Sequence, residues 1–344
     1  MASLFCLPEV TAVFARRLHI PPALGLVAIV AIVAAACGGS ASPTQTLTPV
    51  ASPSASTAGS AVETPTNAAG QSVAATPSST GLPDFAHVYL LVLENHEAGA
   101  IVGSASAPYI NSLIAKYGLA TNYTGVSHPS QPNYIALFSG STQGIADDGV
   151  HTLSAANLVD QLETKGKTWN VFAQDYPGGC YAGTTNSGSG DGIGAAGSYA
   201  RKHDPAISFT DIASNPARCA RISSLANFDP AAGNFELIVP NDCNDMHSCS
   251  IATGDAFLKT FVPRITGSPA FAHSVLFITF DEGTSDVGGG GRVATIVVSP
   301  LTPAGFTSAT AYNHYSILRT VEDAWGLGCL GKACGVTDMG AFFK

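Results

Sequence analysis

Charged residues are scarce in this chain, and bases are scarcer than acids. Only 11% of the residues are charged, compared with about 25% in an average soluble protein. There are 15 Lys and Arg residues against 24 Asp and Glu residues, which gives a net charge of −9, and the few bases form no stripe. Because neutralising a nucleic acid requires clustered Lys and Arg, we expect no nucleic-acid binding. The excess of carboxylates instead suits the binding of cations.

Three motifs that would indicate other chemistries are missing. The chain has no G-x-S-x-G turn, which argues against an ordinary serine esterase. It has no C-x-x-C pair, which argues against a zinc site built from cysteines. The glycine run Gly288–Gly291 lacks both the G-x-x-x-x-G-K-[ST] pattern and a following helix, so it is not a phosphate-binding loop. We interpret this run as a flexible turn.

Residues 1–36 have the pattern of an export signal. Arg16 and Arg17 precede an apolar run from Leu24 to Ala36, which is too short to span a membrane as a mature helix. The run ends in Ala-Ala-Ala-Cys-Gly-Gly-Ser, which resembles a bacterial lipoprotein cleavage site with Cys37 as the lipidated first residue. We therefore expect an exported protein anchored to the membrane through Cys37. If Cys37 is instead a free cysteine beside an ordinary cleavage site, the protein is secreted.

A low-complexity segment, residues 37–83, follows the leader. It consists mostly of Ser, Thr, Ala, Pro and Gly, with Glu63 as its single charged residue and no aromatic residue. Such a composition buries too little apolar surface to fold, so we predict a flexible tether. The folded domain is then residues 84–344, a normal size for one α/β domain.

The cysteines of the predicted domain are even in number, which suggests disulfides in an exported protein. Proximity in the sequence favours the pairs Cys243–Cys249 and Cys329–Cys334. The remaining pair is then Cys180–Cys219.

Strand-like and helix-like patterns alternate through the predicted domain. The run His87–Leu93 is continuously apolar, as expected of a strand buried on both faces. Further strands are predicted at Trp169–Ala173, Phe235–Val239, Val275–Phe280 and Val293–Ser299. Helices are predicted at Ser106–Tyr117, from Ser130 onward, and at Ser154–Gly166, Thr253–Val262 and Tyr315–Ala324. This alternation predicts an α/β fold with a mostly parallel central sheet and helices on both faces.

Polar residues directly follow two of these strands. Glu94 and Asn95 end the first strand, and Asp281 and Glu282 end a later one. Ligands of open α/β sheets bind beyond the carboxyl ends of the strands, so we expect these four side chains to form one site. They offer only oxygen ligands, which favour one hard divalent cation (Mg²⁺, Ca²⁺ or Mn²⁺) over zinc. Alternatively, one pair caps a helix or forms an ion pair with Arg292.

Ser130 stands at the start of a predicted helix, in the segment His-Pro-Ser-Gln-Pro-Asn-Tyr. A serine at this position is most often a helix cap. A helix N-terminus also binds anions, Asn133 lies one turn further on, and a neighbouring cation would lower the pKa of the hydroxyl. Together these features indicate phosphoryl transfer through a phosphoserine at Ser130. The alternative of a different class is a surface protein that uses the carboxylates only to bind structural Ca²⁺.

Six short segments, taken in order, resemble the bacterial phosphoesterase family. They are Glu94–His96, His128–Tyr134, Tyr199–Pro205, Pro240–His247, Asp281–Gly283 and Tyr312–Tyr315. This family includes acid phosphatases and non-specific phospholipases C, and it is related to the alkaline phosphatase superfamily. The resemblance covers nearly all of the predicted domain and implies an alkaline-phosphatase-like sandwich with a mostly parallel central sheet.

The resemblance also implies roles for single residues. Ser130 is implied as the nucleophile, His247 and His314 as catalytic histidines, and Asn133 as a phosphate ligand. The implied ligands of the metal ion are Glu94, Asn95, Asp281 and Glu282. The two-zinc members of the superfamily carry Asp-His where this chain has Asp281-Glu282, so we expect one metal ion.

Two further histidines are candidate substrate ligands. His128 lies two residues before Ser130, and either contacts the phosphate or only orders the turn. His203 follows Arg201 and Lys202, and this cationic group either contacts the phosphate or faces solvent. We therefore predict an exported, metal-dependent hydrolase of phosphate monoesters. Cleavage of phospholipids or other phosphodiesters by the same site is the alternative.

Overall fold

A computed structural model describes residues 81–187 and 194–343 of the protein. The predicted leader, Cys37 and all but the last residues of the predicted tether lie outside the described residues. Within the described ranges, no helix combines the length and the apolar character needed to cross a membrane.

The described residues form twelve strands and eight α-helices. The strands are β1 (Val88–Leu93), β2 (Gly118–Ala120), β3 (Tyr123–Thr124), β4 (Trp169–Ala173), β5 (Thr185–Ser187), β6 (Ser198–Ala200), β7 (Ile222–Ser224), β8 (Phe235–Val239), β9 (Val275–Phe280), β10 (Thr295–Val298), β11 (Phe306–Ser308) and β12 (Tyr312–Asn313). The helices are α1 (Ala98–Ile101), α2 (Pro108–Lys116), α3 (Ser130–Ser139), α4 (Leu158–Thr164), α5 (Thr210–Ala213), α6 (Pro216–Cys219), α7 (Ile251–Thr266) and α8 (His314–Trp325). Short 3₁₀ helices include Arg201–His203.

Eight of the strands form one central sheet in the order β11-β2-β10-β9-β1-β8-β4-β7. The strands from β9 to β7 are all parallel, and β10 is antiparallel to both of its neighbours. Every residue of β1, β8 and β9 is buried. This explains why these strands are almost entirely apolar, with Glu236 of β8 and Thr279 of β9 as the exceptions. Around the sheet, α3 packs against α8, and α2 packs against α7. The predicted α/β class with a mostly parallel sheet is confirmed.

The start of α4 differs from the prediction because of a capping side chain. The helix predicted from Ser154 begins only at Leu158. The side chain of Asn157 accepts from the N–H of Val159 at 3.0 Å, and Asp160 Oδ2 accepts from the N–H of Asn157 at 3.3 Å. This reciprocal capping box sets the start of α4.

The three predicted disulfides are present, with the predicted pairing. Cys180 is bonded to Cys219, Cys243 to Cys249, and Cys329 to Cys334. Structural disulfides persist in oxidising compartments, so these bonds indicate an extracellular protein.

Candidate active site

The polar residues that follow β1 and β9 meet at one edge of the sheet. These two strands are parallel neighbours and end in register. Glu94 and Asn95 therefore lie beside Asp281 and Glu282, and the backbone N–H of Asn95 donates to Asp281 Oδ1 at 3.1 Å. The structure thus brings together the four side chains that the sequence analysis grouped as cation ligands.

Ser130 joins this group because it is the first residue of α3. Its Oγ is 3.0 Å from Glu94 Oε2, 3.3 Å from Glu282 Oε1 and 3.4 Å from the amide end of Asn95. A serine hydroxyl has one proton and can donate to only one of these groups at a time. The arrangement suits an oxygen nucleophile held beside a cation.

The carboxylates around Ser130 are buried and crowded together. Glu94 and Asp281 are fully buried, and Glu282 is nearly so. Burial, and then the charge of Asp281, raises the pKa of Glu94 well above its usual value. Burial, and then the charge of Glu282, raises the pKa of Asp281 to about 7. A divalent cation would relieve this repulsion, and the oxygen-only ligand set fits a hard cation such as Mg²⁺, Ca²⁺ or Mn²⁺.

Tyr134 belongs to the site, although the sequence analysis gave it no role. It lies one turn after Ser130 on α3, and its hydroxyl donates to Glu94 Oε1. Its ring stacks on the ring of His203, with 5.1 Å between the ring centroids. The spacing of four residues from Ser130 was the available signal, because residues i and i+4 share one face of a helix.

His203 lies between two buried carboxylates, away from any open surface. Its Nε2 is 3.2 Å from Glu94 Oε1, and its Nδ1 is 3.4 Å from Asp245 Oδ2. The side chain is only 1% exposed, so it does not reach a substrate, contrary to the predicted role. Glu94, His203 and Asp245 place ligand atoms within 4.8 Å of one another and form a second group that could hold a cation.

Asn133 has a different role from the predicted one. Its Oδ1 accepts from the N–H groups of Val126 and Ser127 at 2.8 and 3.1 Å. Its Nδ2 donates to Ser127 O and Pro129 O at 2.9 and 3.3 Å. Both ends of this buried amide are occupied, so no N–H remains for a phosphate ligand. Asn133 instead holds the turn that positions Ser130.

The ring of His128 bonds two groups of the segment that follows β9. Its Nδ1 bonds Glu282 Oε2, and its Nε2 bonds Ser285 O at 3.0 Å. Burial lowers the pKa of His128, but the bond to Ser285 and the charge of Glu282 outweigh burial and raise the pKa above its usual value. With both ring nitrogens in use, His128 fixes the carboxylate of Glu282.

His314, predicted as a catalytic histidine, is fully buried and fully bonded. Its Nε2 bonds the backbone oxygen of Asp281, and its Nδ1 lies 3.1 Å from the hydroxyl of Tyr123. Burial lowers the pKa of His314 to about 4, so the ring is neutral at pH 7, with Nε2 donating and Nδ1 accepting. No proton remains for a leaving group, and His314 instead holds the end of β9.

His247 is the exposed histidine of the site. It follows β8, and its backbone N–H donates to Asp245 Oδ1 at 2.8 Å. Its ring centroid is 6.2 Å from that of His203, at the edge of the carboxylate cluster. Burial, and then the charge of Lys202, lowers the pKa of His247 below its usual value. Of the predicted catalytic histidines, this one is placed to exchange a proton with a substrate.

Asp148 and Lys202 border the site on the side of α3. The backbone N–H of Gln131 donates to Asp148 Oδ1 at 2.9 Å, and Lys202 Nζ donates to Asp148 Oδ2, also at 2.9 Å. One N–H of the helix start is therefore already bonded to a protein carboxylate. Asp148 was not identified from the sequence, because it lies in a loop that carries no motif.

Comparisons with known proteins agree with the resemblance seen in the sequence. A family model described as the phosphoesterase family matches residues 102–328. The Mycobacterium tuberculosis protein named phosphatidylinositol-3-phosphatase is 33% identical over 267 residues, which cover 76% of this chain and 85% of that protein. A probable acid phosphatase from Kluyveromyces lactis is 31% identical over 263 residues, which cover 73% of this chain and 61% of that protein. This chain therefore spans about three fifths of the length of the yeast relative.

Solved structures with low sequence identity share the fold. The lipoteichoic acid synthase LtaP from Listeria monocytogenes matches 74% of this chain and 76% of its own, with a TM-score of 0.50 at 8% identity. A member of the alkaline phosphatase superfamily from Vibrio parahaemolyticus matches 74% of this chain and 69% of its own, with a TM-score of 0.48 at 10% identity. The match to LtaP shows that this chain and that synthase share a fold. The family match and the relatives together show that this chain belongs to the phosphoesterase family and is a hydrolase of phosphoric ester bonds.

Proposed function

We propose that this protein hydrolyses phosphate monoesters through a phosphoserine formed at Ser130, with the help of one divalent cation. The observation that carries the proposal is the position of the Ser130 hydroxyl, within 3.4 Å of Glu94, Glu282 and Asn95. A serine that served only as a cap would accept from a backbone N–H of its own helix. The N-terminus of α3 has no such side-chain bond, and Ser130 Oγ faces the carboxylates instead.

The chain itself supplies the nucleophile and the nearest proton acceptor. Ser130 Oγ attacks the phosphorus atom, and Glu94 Oε2 is the closest carboxylate oxygen, at 3.0 Å. The bond between phosphorus and the alcohol oxygen breaks, and water later releases phosphate from Ser130. A divalent cation held by Glu94, Asn95, Asp281 and Glu282 supplies Lewis-acid stabilisation of the phosphoryl charge when it is bound.

His247 is our candidate for the acid that protonates the leaving oxygen. His128 and His314 have both ring nitrogens bonded to protein groups, and His203 is buried, with no hydrogen bond to its Nε2 among the described residues. His247 is exposed at the edge of the same cluster. Because burial and the charge of Lys202 lower its pKa, its protonated form is most abundant in acid. This agrees with the acid phosphatases among the relatives.

The names of the relatives support a monoester substrate. One is a phosphatidylinositol-3-phosphatase and others are acid phosphatases, and neither name denotes cleavage of a phosphodiester. Cleavage of phosphodiesters is the alternative from the sequence, and the assays given below compare it directly with monoester hydrolysis.

We also propose that the extracellular domain is tethered to the membrane. The basic and apolar leader that ends at Cys37, together with the low-complexity segment that follows it, supports this arrangement. A lipid on Cys37 would keep the domain at the membrane surface and leave its active site in the aqueous phase.

The substitution Ser130→Ala tests the mechanism. It removes the attacking oxygen, so we expect turnover of 4-nitrophenyl phosphate to fall roughly 10³-fold or more, as for other deleted nucleophiles. Ser127→Ala is the matched control, because its Oγ donates to His128 O at 3.2 Å and not to a carboxylate. Acid quench of the wild type with a labelled substrate should leave phosphate on the peptide that contains Ser130.

Three results would contradict the proposal. Near-normal turnover by Ser130→Ala, or label on another residue, would exclude the phosphoserine. Faster turnover of bis(4-nitrophenyl) phosphate than of 4-nitrophenyl phosphate by the wild type would favour the diester alternative.

A further inference from the structure

A small pocket lies close to the start of α3 and has no part in the chemistry described so far. Its volume is about 100 Å³, and it is lined by loop 148–150, Thr184, Thr185, Arg201 and Lys202. Asp148 connects it to the active site, because its Oδ1 accepts from the N–H of Gln131, the residue after Ser130, and its Oδ2 accepts from Lys202 Nζ. Asp148 and its ion pair with Lys202 thus connect the pocket to the residue that follows Ser130.

The positive charge of this pocket is only partly compensated. Lys202 is paired with Asp148. Arg201 is 3% exposed, and its Nη2 donates to His151 O at 2.8 Å. Its Nε and Nη1 are buried without a hydrogen-bond partner among the described residues. Asp204 attracts the guanidinium only at longer range, so the residues described here leave Arg201 without a close counterion. Burying a cation without a counterion costs desolvation free energy. Such a cation attracts an anion, because charges interact strongly in a medium of low dielectric.

We infer that this pocket binds a second anionic group, carried by the alcohol part of the phosphate monoester. The inference rests on the proposed function, because it takes Ser130 as the point at which the first phosphate reacts. Arg201 and Lys202 in the lining suit a carboxylate or a phosphate, and Thr184 and Thr185 are exposed polar residues of the same lining. The preferred substrates are therefore phosphorylated alcohols that carry another negative charge.

Two pairs of substrates isolate this second charge. 6-Phosphogluconate and sorbitol 6-phosphate differ in one carboxylate. Glycerophosphoinositol 3-phosphate and inositol 3-phosphate differ in one phosphodiester group, which is the chemistry of a lipid headgroup. Each compound contains a single phosphate monoester. We expect kcat/KM to be roughly five- to tenfold higher for the charged member of a pair, the effect of one unit charge at several ångströms in a partly screened site.

Substitutions in the pocket test whether the preference arises there. Val150 is 57% exposed, so Val150→Glu adds a carboxylate to the lining without burying it, and Val150→Gln is the matched neutral control. Arg201→Gln removes the unpaired cation directly. We expect Val150→Glu and Arg201→Gln to abolish the preference, mainly through KM of the charged substrate. Turnover of sorbitol 6-phosphate by Val150→Glu should stay near that of the wild type, and Val150→Gln should keep the preference.

The outcomes separate the inference from the proposed function. If the wild type hydrolyses sorbitol 6-phosphate and inositol 3-phosphate but does not prefer their charged partners, the inference is wrong and the proposed function stands. An equal loss on both members of a pair in Val150→Glu would also overturn the inference. If none of the four compounds is hydrolysed, the proposed function fails and the inference fails with it. A preference confined to one pair supports the inference and identifies the second anion as a carboxylate or as a headgroup phosphodiester.

Discussion

Replacing Asn133 distinguishes two roles that the same residue could have in this site. The amide of Asn133 makes four hydrogen bonds within the turn 126–129 and is fully buried. Asn133→Ala removes all four bonds and leaves the N–H groups of Val126 and Ser127 without their acceptor. Each buried polar group that loses its partner costs about 1–3 kcal/mol. We therefore expect Asn133→Ala to lower the free energy of unfolding by about 2–5 kcal/mol.

A loss of this size is a large part of the stability of an ordinary domain, which is about 5–15 kcal/mol. It should appear as a lower midpoint of urea unfolding, followed by circular dichroism at constant pH. Activity should also fall, because a displacement of Ser130 by about 1 Å can cost about 10²-fold in rate.

Asn133→Asp is the companion variant. It keeps Oδ1 as the acceptor for the two N–H groups, but it turns its second carboxylate oxygen toward Ser127 O and Pro129 O and so buries an unpaired charge. We expect both variants to be less stable and less active than the wild type. If Asn133 instead bound phosphate, both variants would keep the stability of the wild type. Asn133→Asp would then be the less active variant, because its charge repels phosphate. That order of activities, with unchanged unfolding midpoints, would refute the positioning role.

The remaining predictions concern the cation, a buried acid and the mature N-terminus. Chelation should abolish activity, and Mg²⁺, Mn²⁺ or Ca²⁺ should restore it better than zinc, because all proposed ligands are oxygen atoms; restoration by zinc alone would exclude this ligand set. Burial raises the pKa of Glu236 to about 8. Between the ordinary pKa of a glutamate and this raised value, Glu236 is protonated in the folded protein and ionised in the unfolded chain. The free energy of unfolding therefore falls as the pH rises through this range. Between pH 5 and 8 this change should lower the free energy of unfolding by up to about 4 kcal/mol. The substitution Glu236→Gln should remove that part of the pH dependence of urea unfolding. The same pH dependence in the wild type and in Glu236→Gln would show that Glu236 is not responsible. Mass spectrometry of the mature protein from its native membrane should find an acylated Cys37 at the N-terminus, and cleavage at another residue would exclude the anchor.

The sequence predicted the long buried strands of the central sheet, because such strands appear as long, mostly apolar runs. The strands β4, β8 and β9 have the predicted bounds, because each is mostly apolar and almost wholly buried; Asn170, Glu236 and Thr279 are their polar residues. Short strands such as β2 have three residues and carry no pattern that separates them from a helix end. The grouping of Glu94 with Glu282 was also predictable, since it follows from the rule that parallel strands end at one edge.

The sequence did not reveal which way the polar side chains of the site point. His128 and His314 were assigned to the active site from short motifs, and both do lie there. The atoms that they contact are decided by packing, because a ring that bonds Glu282 and Ser285 cannot also bind a substrate. The structure places the residues of these motifs close together, and their hydrogen bonds indicate which of them hold others in place.

The bond between His314 and the backbone of Asp281 determines when the active site is completed as the chain emerges from its N-terminus. Asp281 lies at the end of β9, and the histidine that holds it belongs to α8, the last α-helix of the described residues. Ser130, the proposed nucleophile, lies by contrast near the beginning of the described domain. A chain that crosses a membrane from its N-terminus therefore exposes Ser130 long before the segment that completes its surroundings has emerged. Catalysis should begin only when α8 has packed against the rest of the domain. Measurable activity would therefore show that the whole domain has folded.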